Sequence, residues 1–144
     1  MIKETIYIEK PIEEVWNFIE LEFAKVFKTS PSKLLGKTIE AETMNFTGKV
    51  IAIRQEVTIQ EKPHRLIIQS ESGRDLVETE YILETDEAGT GTYLTASESG
   101  KGKKSTLRSL NYSLMSLPIL RGSAKKKVRA RIEGIKMLVE GEAE

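Results

Sequence analysis

From Thr38 to Ser99 the apolar residues keep a period of two through five successive segments, interrupted only by short turn signals. A period of two belongs to a strand with one buried and one wetted face. The segments run near Thr38 to Phe46, Lys49 to Gln60, Arg65 to Glu71, Leu76 to Thr85 and Gly91 to Ser99, separated by "TGK", "EKPH", "SGRD" and "DEAGTG". Linkers this short join neighbours as hairpins, so the sheet is antiparallel. In the second segment Ile51, Ile53, Val57 and Ile59 share a face, with Arg54, Glu56 and Thr58 on the other. In the fourth, Val77, Tyr81 and Leu83 oppose Glu78, Glu80 and Glu84.

Helical patterns flank this block. A first strand, Ile2 to Glu9, meets Pro11, whose missing N–H is harmless at a helix start, and Glu13 and Glu14 suit the positive first turn. Ile12, Val15, Trp16, Ile19, Phe23, Val26 and Phe27 then form an apolar stripe, on which Trp16 reads as core. "TSPSKLLGK" ends that helix and suggests a short second helical turn before Gly36. A closing helix starts around Ser105 or Thr106 and carries Leu107, Leu110, Leu114, Leu117, Ala124, Val128, Ile132, Ile135 and Val139 along one side. Met115 and Ile119 fall on the opposite side of a straight helix, and Pro118 removes a hydrogen bond, so the spacing predicts two helical segments with a break near Leu117 to Gly122. The whole is one α+β domain, residues 1–144, ordered β-α-α-β-β-β-β-β-α: a curved six-stranded antiparallel sheet wrapped on a long C-terminal helix.

Charge is segregated although the net is zero. Residues 1–100 balance at −7, residues 101–131 at +10 with no acid, and residues 132–144 at −3. One reading is internal complementarity, a basic helix lying on an acidic sheet. The other is a patch, Lys125, Lys126, Lys127, Arg129 and Arg131, that meets an acidic protein or an anionic membrane surface, since an apolar face flanked by cations has the composition of an interfacial helix. The basic helix lacks interleaved aromatics, which argues against nucleic acid. No apolar run approaches the roughly 20 residues of a membrane span, the first residues lack a signal-peptide core, and there is no cysteine. A cytoplasmic location is the expectation, as a monomer or homodimer.

The residues offer little chemistry. His64, the single histidine, cannot build a structural zinc site without cysteine, so neither metal nor cofactor is expected. The serines have no placed activating base. "SGKGKKST" joins strand to helix as a phosphate-binding loop does, yet Ser97 and Lys104 stand where that motif needs Gly and Ser/Thr; only a weak anion site at the helix N-terminus is left. Glu98 shares the parity of Leu94 and Ala96 and points inward, which makes it the one weak candidate for acid–base work; the plainer role is a rim carboxylate paired with a lysine of the next loop.

Over its whole length the chain resembles the START-like superfamily, which includes birch pollen allergens, polyketide cyclases and a co-chaperone domain. The resemblance rests on "YIEKPIEEVWNFI" at the strand-to-helix entry, "EKPHRLIIQSES" and "GTYLTASESG". Within the superfamily it is most similar to small uncharacterised bacterial proteins with the same short loops and the same apolar-then-basic final helix. The resemblance implies a helix-grip fold around a cavity that takes a lipid-like hydrophobic molecule. Ile53, Tyr81, Leu94 and Ala96 would line such a cavity from the sheet, and Leu114, Met115 and Pro118 from the final helix. The expected function is therefore non-catalytic binding of a small hydrophobic molecule. The alternatives are an interaction module using the basic helix and a cyclase- or hydrolase-like enzyme using Glu98.

Overall fold

The computed structural model describes residues 1–44, 50–72, 75–100 and 122–141. Strand β1 (Ile2–Ile8) leads into helix α1 (Ile12–Val26) and a single 3-10 turn (Pro31–Lys33). The strands β2 (Thr38–Met44), β3 (Val50–Glu61), β4 (Arg65–Ser72), β5 (Asp75–Thr85) and β6 (Thr92–Gly100) follow, and helix α2 (Gly122–Gly141) closes the described chain. All six strands form one antiparallel sheet in the order β1-β6-β5-β4-β3-β2, so the first and last strands are neighbours. This is the α+β helix-grip order read from the sequence, the second helix being reduced to the 3-10 turn. The expected helix start at Ser105 and the expected break from Leu117 lie outside the described residues. Among the described residues no helix is long and apolar enough to cross a membrane.

Pro11 stands one position before the first helical residue of α1, and its carbonyl accepts from the Glu14 and Val15 N–H groups at 3.0 and 3.2 Å. At the other end Lys28 takes a left-handed φ of 56°, and the Thr29 N–H reaches back to the Ala24 carbonyl at 2.9 Å. That closing bond is a Schellman-type stop, a position where glycine is commoner than lysine. The buried side of α1, with Ile12, Val15, Trp16 and Ile19, meets Ile8, Leu66, Tyr81, Leu83 and Leu94 of the sheet in one core. Trp16 is fully buried, and its indole N–H has no acceptor among the described residues. Val26, which the spacing puts on the same stripe, is 48% exposed.

Strand β3 departs from the alternation expected of it. Val57 pairs with Ile68 but Ile59 pairs with Ile67, so Thr58 is an extra residue in a bulge. Neighbouring residues of β4 point to opposite faces, which means that Ile59 does not share the face of Val57: the bulge reverses the parity after it. Gln60, paired with the fully buried Leu66, is thereby turned inward. Its side-chain amide donates to the buried Glu20 of α1 at 2.6 Å and to the Pro31 carbonyl at 3.0 Å. One side chain thus ties β3, α1 and the 3-10 turn together.

The edge strand β1 is bonded by side chains of α2. Arg129 donates to the Thr5 carbonyl at 2.7 Å and Lys136 to the Tyr7 carbonyl at 2.8 Å, while Glu140 accepts from the Glu9 N–H at 2.7 Å. That backbone N–H, with Lys136 beside it, holds the Glu140 carboxyl below its ordinary range. Lys125 and Arg129 also face Glu4 at 3.6 and 3.8 Å. Lys125 and Arg129 of the basic stretch are therefore complementary to the protein's own sheet edge.

Near the C-terminal end of β1, the Tyr7 hydroxyl donates to Asp86 at 2.7 Å, and its ring packs against Tyr93 with centroids 5.1 Å apart. The same ring covers Gly91 so closely that a Cβ there would overlap the Tyr7 hydroxyl and ring.

Two outcomes follow from these contacts. Gln60→Leu strips a buried carboxylate of its amide donor and lowers unfolding free energy by about 1–3 kcal/mol in a denaturant titration. The bond to Asp86, ahead of burial, pushes the Tyr7 pKa from 10.0 up to about 12, so the folded state keeps this proton where the unfolded chain releases it. Its stabilising contribution is complete below pH 10.0 and is lost as pH rises through about 12. The same bond lowers the Asp86 carboxyl, a contribution present above its usual 3.8 and lost as pH falls below it. Ultraviolet titration of tyrosinate should show a late-titrating group that disappears in Tyr7→Phe.

Candidate functional site

Helices α1 and α2 do not close against each other along their whole length. A cleft of about 330 Å³ lies between them, open to solvent, with Tyr81 of β5 reaching it from the sheet. Phe18, Ile19, Phe23 and Val26 line it from α1, and Ala130, Gly134, Ile135 and Leu138 from α2. The charged side chains lining it are Glu22, which bonds Lys25 at 3.1 Å, and Arg131.

Each wall follows from local spacing. Phe18 and Val26 sit off the fully buried stripe of Val15, Trp16 and Ile19, on the flank that α2 approaches. On α2, Val128, Ile132 and Val139 are buried in the core, while Gly134 and Leu138 lie further round the helix. Gly134 presents no side chain, and a Cβ added there would meet nothing within 4 Å. A glycine inside a helix costs about 0.5–1 kcal/mol relative to alanine, and here its effect is to leave the cleft open.

The floor of the cleft is polar. Arg131 donates to the Tyr81 hydroxyl and to the Glu98 carboxylate, both at 3.4 Å, longer than the usual 2.7–3.2 Å or so of a good N–H···O bond. Tyr81 is only 2% exposed, its ring tilted against Phe23 at a centroid distance of 5.5 Å. Burial, partly offset by Arg131, raises its pKa, so the hydroxyl is a neutral donor and acceptor at ordinary pH. For Arg131 burial acts to lower the pKa, but Tyr81 and Glu98 outweigh it and the guanidinium is held charged. Glu98 points inward at the parity expected, with its side chain 15% exposed, and its observed partner is Arg131 of α2.

The residues singled out from the sequence are thus dispersed. Tyr81 lines the cleft. Leu94 and Ala96 are fully buried in the core against α2, and Ile53 is half-buried on β3. Leu114, Met115 and Pro118 lie outside the described residues. Of the basic patch, Arg131 belongs to the cleft floor, and Lys125 and Arg129 face Glu4. Lys126 is exposed, and so is Lys127, which has a partner of its own. Phe18, Gly134 and Leu138 were not singled out. Their signal was faint: a glycine in mid-helix, and Leu138 beside the core position Val139 without a place on the stripe. His64 is exposed in the β4 entry turn with its Nδ1 3.1 Å from the Leu83 carbonyl. Among the described residues no group of three or more metal-ligating side chains gathers.

A second groove, of about 470 Å³, lies on the other side of Phe18. It is lined by Lys10, Glu14, Asn17, Glu22 and Lys25 as well as Leu21 and Val139, and that charged rim makes it a less specific site than the apolar cleft.

No family model matches the chain, and no curated protein does. Solved structures do match it over nearly its full length. A protein from Arthrobacter aurescens aligns with a TM-score of 0.63 at 12% identity, covering 96% of this chain and 85% of that one. Protein MLL2253 from Mesorhizobium loti aligns with 0.56 at 18% identity, covering 96% of both chains. Ara h 8.0201 aligns with 0.53 at 11% identity, covering 97% of this chain and 94% of that one. At such identities the likeness speaks to architecture alone, and it agrees with the strand order: the chain has a helix-grip fold.

Proposed function

We propose that the protein binds a small hydrophobic molecule without transforming it, in the cleft between α1 and α2. The observation that carries this reading is the cleft itself: apolar side chains from both helices around a space that Gly134 leaves unfilled, closed below by the Tyr81–Arg131–Glu98 cluster. A concave apolar site with a few convergent polar groups is the usual form of a small-molecule pocket, and about 330 Å³ lies at the lower end of the range of such pockets. Nothing in the cluster argues for turnover. The Glu98 carboxylate is engaged by a guanidinium, and no nucleophile or second titratable carboxylate bonds with it among the described residues.

The test uses Gly134. An environment-sensitive apolar dye, such as an anilinonaphthalene sulfonamide, should brighten with the wild-type protein. Gly134→Leu projects a side chain into the space without a backbone clash and should weaken that binding about tenfold or more, the scale on which filling a pocket removes apolar burial. Gly134→Ala should raise the unfolding free energy by about 0.5–1 kcal/mol, the ordinary gain of alanine over glycine within a helix. Unchanged dye binding in Gly134→Leu would mean that the molecule is not held in this cleft.

A further inference from the structure

The charges around the cleft cancel in pairs. Arg131 faces Glu98 at 3.4 Å, and Glu22 bonds Lys25 at 3.1 Å. Among the described residues that line the cleft, no uncompensated cation is left to neutralise an anionic ligand. A carboxylate entering the site would put a second negative group beside Glu98, in a place where the Arg131 side chain is only 30% exposed. Burying an unpaired charge is expensive, and sharing one guanidinium between two carboxylates compensates each only in part.

Hydrogen-bond donors are nevertheless in excess there. Arg131 carries only donors, and just two of its N–H groups are engaged among the described residues, both in long bonds. The Tyr81 hydroxyl beside it has its own proton to give. A ligand therefore meets an apolar cleft ending in donors, where the charges of the described residues cancel. An uncharged oxygen acceptor satisfies those donors without adding charge.

Resting on the binding function proposed above, we infer that the ligand is an uncharged, oxygen-bearing hydrophobic molecule, an alcohol, ketone or ester whose oxygen accepts from Arg131 and Tyr81, and not a fatty-acid anion. Glu98 is the selectivity-determining residue: its charge cancels that of Arg131 and so excludes carboxylates.

Displacement of the bound dye from the full chain by decanol, methyl decanoate and decanoate at about pH 8, where the acid is ionised, tests this. Wild-type protein should bind the alcohol and the ester at least about tenfold more tightly than the anion, a modest value for an uncompensated, partly buried charge. Glu98→Gln keeps the shape and a hydrogen-bonding oxygen while freeing the positive charge of Arg131, and should invert the order in favour of decanoate. Decanoate binding as tightly as decanol to wild-type protein overturns the inference, and so does an unchanged preference in a Glu98→Gln variant whose thermal melting shows it folded. These results differ from failure of the underlying reading, in which no probe displaces the dye and Gly134→Leu binds it like wild type.

Discussion

Helix α2 is seated on the edge of the sheet, and the direction in which it turns each of its faces decides what else the structure can do. At about 100° per residue, Lys125, Arg129, Lys136 and Glu140 fall within about 40° of one line along the helix. This is the line that meets β1, through the Thr5 and Tyr7 carbonyls, the Glu9 N–H and Glu4. Val128, Ile132 and Val139 lie roughly a quarter turn away and enter the core. Gly134 and Leu138 then fall on the side opposite β1 and face the cleft. Burial of an aliphatic side chain contributes about 1.5–3 kcal/mol, whereas exposed ion pairs contribute about 0–1 kcal/mol. The core residues hold the helix down, and the polar contacts along β1 set its rotation and register.

The same arrangement explains why the sheet was easy to read from sequence and the site was not. Strand parity reports directly which side chains point inward, so Tyr81, Leu83, Leu94 and Glu98 could be assigned to one face from spacing alone. Among the described residues the parity failed after Thr58, because an inserted residue leaves no mark in the hydrophobic pattern. Both Val57 and Ile59 are apolar, and Gln60 does not look like an inward residue until its partners Glu20 and Pro31 are in place. A bulge becomes visible through its pairing with the neighbouring strand, which is information that no single strand carries.

The cleft was hidden for a related reason. Its walls come from two helices far apart in sequence, and a stripe analysis sorts each helix into a buried and an exposed side. The residues that make the cleft belong to neither class. Phe23 and Ile135 are half-buried, and Val26 and Leu138 are exposed although apolar. Likewise the basic run admitted two meanings, a partner surface or self-complementarity, because composition records the sign of a charge and not the direction of its side chain. Arg131 and Arg129 are two residues apart, and α2 sends one to the floor of the cleft and the other to the sheet edge.

The seat that the Tyr7 ring takes on Gly91 carries a further consequence for how the sequence can vary. The hairpin between β5 and β6 has several exposed positions, among them Glu87, Ala88 and Thr90, where a new side chain would extend into solvent. Gly91 is not interchangeable with them: any replacement must displace an aromatic ring contributed by the first strand, and with it the contacts to Asp86 and Tyr93. Tolerance to mutation therefore changes abruptly between two adjacent turn residues, and a library of variants in this hairpin would record the presence of β1 without any substitution being made in β1 itself.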